Sequence, residues 1–423
     1  MKIIQKAQVL AFLLISIVSV SSCDKEESVP LPVPEVIEIL PTGGVAGMEV
    51  TISGSNFVAD TLGNTVTFNG LVASVKEAST DELVVVVPEG GETGAIEVST
   101  KGGTATGPDF RYYQIYILGT ARSKTTKQDV ITLWRNGVAE GVSDENVSCW
   151  AAAIALSGSD VYVSGITVGT GINLPTYWKN GQAFPLTGGK HGTVGGLSVY
   201  GDDVYVAGSE QIGNLQVATY WKNGVSINLV PRGTGYSYAY DVKMSDGDVY
   251  VAGTGSSQGI SLGTLWKNGS KLEFEGDFDG VSLNQMEVEG SDVYLLGQRL
   301  TGSKPAISYW KNGIEHPLTD GSHQAVPRGF VVDNGSVLVA GYENNNQLNK
   351  VAKVWINDKE YVLSDGSSSF HLSDIAVING DVITAGHIEI ENNNEIAFYA
   401  INDQLFTLTD RSSSLSISGM VVF

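Results

Sequence analysis

The sequence predicts an all-β protein, and three observations lead to that prediction. Glycine occurs 51 times in 423 residues and only 17% of the residues are charged, a mixture typical of a compact chain with many turns. Short runs of alternating apolar and polar residues recur along most of the chain, as expected for half-buried strands. From residue 113 onward one pattern repeats with a period in the mid-forties, about the length of one four-stranded sheet. The length allows two or three domains.

The first residues predict export and a lipid anchor. Lys2 and Lys6 precede an apolar stretch, residues 9–20, that is too short for a comfortable membrane span. It ends in the letters VSSC at residues 20–23, which resemble a bacterial lipobox. The resemblance implies that Cys23 is diacylated and becomes the first mature residue. The alternative is a plain secretory signal with an incidental cysteine.

The residues after Cys23 extend this prediction. The letters DKEE at residues 24–27 resemble the surface-export signal of Bacteroidetes lipoproteins, so we expect an outer-membrane protein exposed on the cell surface. We assign residues 1–22 to the signal peptide and residues 23–33 to an acidic, proline-rich tether, which should be extended. Cys149 then has no mature cysteine partner, and no intramolecular disulfide is expected.

Residues 34–112 predict a first globular domain built from short, evenly spaced strands. Its markers are Pro41, Gly44, Gly47, the runs TISGSNF, VTFNG and LVVVVPEG, and the closing Phe110. Together these features resemble the IPT/TIG family of immunoglobulin-like β-sandwiches. The resemblance implies a sandwich fold, and such domains act as spacers or as interaction modules.

Residues 113–423 contain seven copies of one repeated pattern. The motif typified by TYWKNG places tryptophans at intervals of 44, 43, 45, 44 and 45 residues, and a degenerate seventh copy falls at Ala400. A second motif, typified by VYVAG, keeps the same spacing and also occurs seven times. This period predicts a seven-bladed β-propeller. The tryptophans are Trp134, Trp178, Trp221, Trp266, Trp310 and Trp355, and the glycines that end the second motif are Gly119, Gly165, Gly208, Gly253, Gly297, Gly341 and Gly386.

Each blade can be divided into strands a to d. VYVAG forms strand b, the tryptophan motif forms strand c, and Asn-Gly makes a type I′ turn into strand d. We expect the tryptophans to fill the gaps between neighbouring blades. The first repeat lacks a strand a and the last repeat has a surplus one, residues 414–423, so we expect this strand to close the ring against residues 113–119. The signatures of the WD, kelch and YWTD propellers are missing.

The loops predict where a ligand would bind. The a–b and c–d turns are short and nearly identical in every blade, whereas the b–c and d–a connections, which share the opposite face, vary. Binding residues tend to lie on variable loops held by a rigid frame. Aromatic rings with polar tips on this b–c/d–a face could stack on sugars, although they could instead pack between blades or cap the channel. The candidates are Trp150, His191, Tyr236, Tyr238, His323, Phe370 and His371.

Several kinds of site are not expected. The net charge is −21 and no basic run follows the N-terminus, which argues against a nucleic-acid partner. Four of the five histidines fall on the b–c/d–a face, but His191 and His323 belong to nearly opposite blades and no short ligand motif occurs, so no metal and no cofactor are predicted. The Asp-rich turns resemble capped turns rather than calcium loops. No Gly-x-Ser-x-Gly elbow occurs, and no catalytic residue is predicted.

These features lead to a functional hypothesis. We expect a surface-anchored, non-enzymatic binding protein that captures a glycan or another extracellular ligand on the b–c/d–a face. Its partners would be the outer membrane, through the lipid, and a polysaccharide or a surface protein. The alternatives are a carbohydrate-active enzyme, a polysaccharide lyase or glycosidase, on the same face, or a protein-interaction or adhesion scaffold.

Overall fold

The computed structural model describes residues 30–229, 235–273, 278–301, 304–390, 394–402, 404–408 and 415–423. The predicted signal peptide, Cys23 and most of the tether lie outside the described residues. Within these ranges, the secondary structure is almost wholly β, with one 3₁₀ turn at Thr61–Gly63. No helix in these ranges is both long enough and apolar enough to cross a bilayer. Cys149 is a buried free thiol.

The first nine strands form two facing sheets. Inward residues alternate along the strands, so Val50, Ile52 and Leu83 are buried, and Phe68 meets Phe110 edge to face at 5.0 Å. The strands are β1 Glu35–Leu40, β2 Gly43–Gly44, β3 Glu49–Ser55, β4 Thr65–Phe68, β5 Leu71–Val72, β6 Ser74–Ala78, β7 Glu82–Val86, β8 Gly94–Thr100 and β9 Gly103–Tyr112. One sheet has the order β1-β3-β7-β6 and the other has the order β2-β9-β8-β4-β5.

The remaining strands form seven antiparallel four-stranded sheets, the blades of the propeller. In each blade, strand a faces the central channel and strand d is outermost. The strands of blades 1 to 3 are β10 Ile115–Arg122, β11 Asp129–Arg135, β12 Val138–Gly141, β13 Cys149–Ser157, β14 Asp160–Val168, β15 Asn173–Lys179, β16 Gln182–Pro185, β17 Gly192–Tyr200, β18 Asp203–Ile212, β19 Leu215–Lys222 and β20 Val225–Asn228. Those of blades 4 and 5 are β21 Tyr238–Ser245, β22 Asp248–Ser257, β23 Ile260–Lys267, β24 Ser270–Leu272, β25 Val281–Glu289, β26 Asp292–Thr301, β27 Lys304–Lys311 and β28 Ile314–Pro317. Those of blades 6 and 7 are β29 Ala325–Asp333, β30 Ser336–Asn344, β31 Lys350–Ile356, β32 Lys359–Val362, β33 Phe370–Ile378, β34 Asp381–Ile390, β35 Asn394–Ile401 and β36 Gln404–Thr407, and β37 Leu415–Val422 is strand a of blade 1.

The C-terminal strand closes the ring as predicted. β37 pairs antiparallel with β10, from Ile115 opposite Val422 to Ala121 opposite Leu415. Blade 1 therefore combines one strand from the C-terminus with three from the start of the repeats. Because β10 is paired on both sides, β37 leaves no unpaired backbone edge on β10.

The repeated turn motif ties strands b, c and d together on the a–b/c–d face. Asn180 and Gly181 have φ of 50° and 82°, as a type I′ turn requires. The Asn180 side chain accepts a hydrogen bond from the Val161 N–H at 2.9 Å and donates one to Asp160 at 2.8 Å. The Lys179 ammonium pairs with the Asp160 carboxylate at 2.8 Å. The same Lys–Asp pair recurs in the next three blades as Lys222–Asp203, Lys267–Asp248 and Lys311–Asp292.

The repeated tryptophans fill the gaps between blades, which confirms the prediction. Trp266 is fully buried and packs with Tyr205 and Ala207 of the preceding blade and with Val251 of its own. Equivalent clusters contain Trp178, Trp221, Trp310 and Trp355.

The chain enters the propeller at the a–b/c–d face. The Tyr113 hydroxyl donates a hydrogen bond to Asp381, which follows the a–b turn of blade 7. Burial and this carboxylate raise the pKa of Tyr113 to about 12. The sandwich core is continuous here with Ile115 and Ile401 of the propeller. The b–c/d–a face therefore lies at the opposite end of the ring from this junction.

Candidate functional site

Trp150, one of the predicted binding residues, is an exposed aromatic ring with 44% of its surface accessible. It follows the d–a loop at the start of β13. Its indole Nε1 donates a long hydrogen bond, 3.4 Å, to the Asp129 carboxylate in blade 1. The neighbouring Ala151 N–H donates to the Thr120 hydroxyl at 2.9 Å, which anchors the strand end and presents the ring at the rim.

Trp150 forms one wall of a pocket where blades 1, 2 and 7 meet. The cavity volume is about 360 Å³. Asp129 is paired with Arg122 at 3.2 Å, whereas Glu395 accepts a hydrogen bond from the Leu415 N–H at 3.3 Å. An apolar ring beside carboxylates and hydroxyls is an arrangement that can stack on a sugar and accept hydrogen bonds from its hydroxyls. The lining residues are Thr120, Asp129, Trp150, Ala151, Glu395, Leu415 and Ser416.

The two candidate tyrosines of blade 4 lie where the d–a loop meets strand a: Tyr238 is the first residue of β21, and Tyr236 precedes it by two residues. Tyr236 is 51% exposed. Tyr238 stacks on Tyr240 with ring centroids 6.2 Å apart, and Tyr240 lines the channel. Burial raises the pKa of Tyr240. Tyr238 therefore packs against a ring of the channel wall, while Tyr236 is an exposed loop side chain.

His191 and His323 hold loops. The His191 Nδ1 accepts a hydrogen bond from the Asn173 N–H at 3.0 Å, which joins the d–a and b–c loops of neighbouring strands. His323 lies 3.1 Å from the Asn346 amide oxygen through Nε2 and 3.1 Å from the Ser322 hydroxyl through Nδ1.

Phe370 and His371 are packed into the junction of blades 6 and 7. Phe370 contacts Phe398, with ring centroids 6.1 Å apart. The His371 ring stacks on His387 at 4.3 Å, and its Nε2 lies 2.6 Å from the Glu389 carboxylate. Burial lowers the pKa of His371 and lowers that of His387 to about 4, so both rings are neutral at neutral pH.

The histidine pair does not form a recognisable metal site. Across the described ranges, no three His, Cys, Asp or Glu side chains are grouped so that they could hold an ion. The His371 Nε2 is also 3.1 Å from the Lys350 ammonium, which would compete with any cation at this position.

None of the predicted binding residues lines the central channel, a cavity of about 490 Å³ whose wall contains residues from all seven inner strands. Each inner strand carries a β-bulge at the same level, which re-aims one or two residues. The residues without a cross-strand partner are Ala152, Gly195, Gly196, Tyr240, Asn284, Arg328, Ser373 and Ser418.

Two carboxylates beside the bulges tie successive blades together. Asp241 accepts hydrogen bonds from the Val242 N–H at 2.8 Å and, in the next blade, from the Met286 N–H at 2.9 Å. Asp374 repeats this arrangement with Ile375 at 2.8 Å and Met420 at 2.7 Å. Burial raises the pKa of Asp241 to about 6 and that of Asp374 to about 7.

A glycine in the preceding blade packs closely against each of these aspartate segments. A Cβ on Gly196 would lie 2.1 Å from the Asp241 carboxylate, and a Cβ on Gly329 would lie 2.5 Å from the Ile375 nitrogen. Their spacing in the sequence could have identified these two aspartates. Asp241 lies seven residues before Asp248, at the a–b turn of its blade, and Asp374 lies seven residues before Asp381 in the same way.

Comparisons with known proteins agree with the fold. The IPT/TIG domain family matches residues 34–112, and no curated protein matches the chain. The chain resembles an auxiliary nutrient binding protein from Bacteroides ovatus, with 14% identity over 91% of this chain and 97% of that one and a TM-score of 0.43. It resembles the β-propeller domain of the Trilobed protease from Pyrococcus furiosus, with 12% identity, coverage of 79% and 99%, and a TM-score of 0.40. It also resembles a puromycin-hydrolyzing peptidase from Mycobacterium tuberculosis, with 10% identity, coverage of 71% and 52%, and a TM-score of 0.51.

At these identities the resemblance to solved structures concerns the fold alone. The predicted fold class, an immunoglobulin-like sandwich followed by a β-propeller, is confirmed, and residues 34–112 are similar to the IPT/TIG domain family.

Proposed function

We propose that this protein is a surface-anchored, non-enzymatic binding protein that captures an extracellular glycan on the b–c/d–a face. The observation that carries the proposal is the exposed Trp150 ring over a pocket that also contains the Asp129 and Glu395 carboxylates. Stacking on the ring supplies apolar contact area, while the carboxylates and the Thr120 and Ser416 hydroxyls supply hydrogen-bond acceptors for sugar hydroxyls.

The entry point of the chain supports this orientation. The sandwich joins the propeller at the a–b/c–d face through Tyr113 and Asp381. A lipid on Cys23, in the outer membrane, would be attached at the N-terminal side of the sandwich. The Trp150 pocket would then point away from the membrane, with the sandwich as a stalk.

Affinity electrophoresis against a panel of neutral and acidic polysaccharides tests the proposal. The mature protein should be retarded by at least one glycan, and Trp150→Ala should reduce the affinity at least tenfold. Tyr200→Ala is the matched control, because Tyr200 is a comparably exposed aromatic at the a–b turn of blade 3. A folded protein that no glycan retards, or equal retardation of both variants, would contradict the proposal.

The enzymatic alternative has a separate readout. A lyase releases unsaturated products and a glycosidase releases reducing ends, so prolonged incubation with each retained glycan distinguishes turnover from capture. His323→Ala should leave binding unchanged, because His323 contacts Ser322 and Asn346 rather than the Trp150 pocket.

A second candidate function, a protein-interaction scaffold, is favoured by exposed aliphatic side chains along the b–c loops of blades 2 to 6. A ring of exposed apolar residues is typical of a docking surface. If this function is correct, joint replacement of Ile260 and Leu348 by serine should dissociate a complex of this protein in the cell envelope. Trp150→Ala should leave that complex intact. The residues are Ile172, Ile212, Leu215, Ile260, Leu300 and Leu348.

A further inference from the structure

The wall of the central channel is chemically asymmetric. Blades 1 to 3 line it with small or apolar residues, including Ala153, Gly195, Gly196 and Gly419. Blades 4 to 7 contribute all the Asp, Glu, Lys and Arg side chains of this wall, three acids and two bases. These are Asp241, Lys243, Glu287, Arg328 and Asp374.

The channel is large enough for a small ligand, and solvent reaches its charged wall. Its volume of about 490 Å³ falls within the usual range for ligand pockets, roughly 300–1,000 Å³. The Lys243 and Glu287 side chains pair at 2.8 Å yet remain 31% and 28% exposed.

The carboxylates retain capacity to accept hydrogen bonds. Asp241 and Asp374 each accept two backbone N–H groups, whereas a carboxylate can accept about four hydrogen bonds. Burial raises the pKa of both groups because it removes water from the ionised carboxylates. Hydrogen-bond donors of a ligand would replace that water and stabilise the ionised forms. Hydroxyl groups of a ligand can supply such donors.

Arg328 is a cation of the channel wall whose guanidinium could bind an anion. It occupies the bulge position of β29, is exposed towards the channel, and makes no hydrogen bond or ion pair with the other residues that the structure describes. The chain as a whole carries a net charge of −21, so an unpaired guanidinium is unusual in its surroundings. A guanidinium binds a carboxylate through two parallel hydrogen bonds.

We propose that the central channel is a binding site for a small sugar acid, distinct from the Trp150 pocket. The carboxylate of the ligand pairs with Arg328, and its hydroxyls donate to Asp241 and Asp374. A neutral sugar would leave Arg328 unpaired. A carboxylate without hydroxyls would give the two aspartates no additional hydrogen-bond donors. The site therefore selects a ligand that carries a carboxylate and hydroxyl groups on one molecule.

Isothermal titration of the mature protein with galacturonate, glucose and acetate tests this site. We expect saturable binding of one galacturonate per chain, and binding of glucose and acetate at least tenfold weaker. Arg328→Gln should weaken galacturonate binding at least tenfold. Arg135→Gln, which removes the same charge on the a–b/c–d face, should leave it unchanged.

The outcomes separate this proposal from the glycan proposal. Trp150→Ala should leave galacturonate binding intact, since its pocket lies at the rim between blades 1, 2 and 7. The channel proposal is overturned if galacturonate does not bind, if Arg328→Gln binds it normally, or if glucose binds equally well. None of these results alters the polysaccharide assay with Trp150→Ala.

Discussion

Removal of the C-terminal strand should cost the propeller most of its stability. Deleting residues 415–423 removes β37 and with it the buried side chains of Leu415, Ile417 and Met420, which are 5%, 6% and 7% exposed. Burial of one such side chain contributes about 1.5–3 kcal/mol, so the three together contribute roughly 5–9 kcal/mol. A folded domain has a total stability of about 5–15 kcal/mol.

The deletion also exposes the backbone edge of β10 and leaves Asp374 without its Met420 partner. An uncovered strand edge promotes association between chains. We therefore expect the truncated protein to aggregate or to lose its cooperative unfolding transition. The assay is size-exclusion chromatography with light scattering, followed by thermal unfolding monitored by circular dichroism.

Point substitutions give a graded version of the same test. Ile417→Ala should destabilise the fold by about 2–5 kcal/mol, whereas Ser416→Ala, on the exposed side of the same strand, should change it by less than about 0.5 kcal/mol. A truncated protein that stays monomeric and melts as the intact one does would refute the reasoning, because closure by β37 would then contribute nothing.

Three further predictions concern the blades, the channel and the histidine pair. Trp266→Ala should lower the free energy of unfolding in urea by about 3–5 kcal/mol, whereas Lys267→Ala, which removes a surface ion-pair residue, should lower it far less. Equal costs would contradict the packing role of Trp266. Gly196→Ala should cost about 1–3 kcal/mol by thermal melting because its Cβ would lie 2.1 Å from a carboxylate oxygen. Gly141→Ala should be tolerated, because its Cβ would make only an ordinary contact with Val130 at 4.0 Å. The pKa of His387 falls from 6.5 to about 4 on folding, so the unfolded chain binds a proton here more readily than the folded one. The free energy of unfolding is therefore unaffected by this group above pH 6.5 and decreases as the pH falls towards 4, by roughly 3 kcal/mol at most. His387→Gln should flatten this part of the pH–stability curve, and an unchanged slope would exclude the mechanism.

The sequence by itself determined the scaffold. Period and turn chemistry are local properties, so the spacing of Trp178, Trp221 and Trp266 was sufficient to predict the blades, their order and the packing of the rings between them. The Asn180-Gly181 turn and the surplus final strand followed from the same local rules. Closure was predictable because the first repeat lacks the strand that the last one supplies.

The tertiary structure decided which residues share a site. Asp129, Trp150 and Glu395 meet in one pocket although they belong to blades 1, 2 and 7, and only closure of the ring brings blade 7 beside blade 1. Tyr238, which reads as a loop aromatic, instead stacks on Tyr240 of the channel wall. Arg328 faces that channel because a bulge re-aims it, and a bulge shifts the alternation on which the sequence reading relied. Repetition therefore fixes the frame, while the contacts between distant repeats, which no local pattern encodes, create the sites.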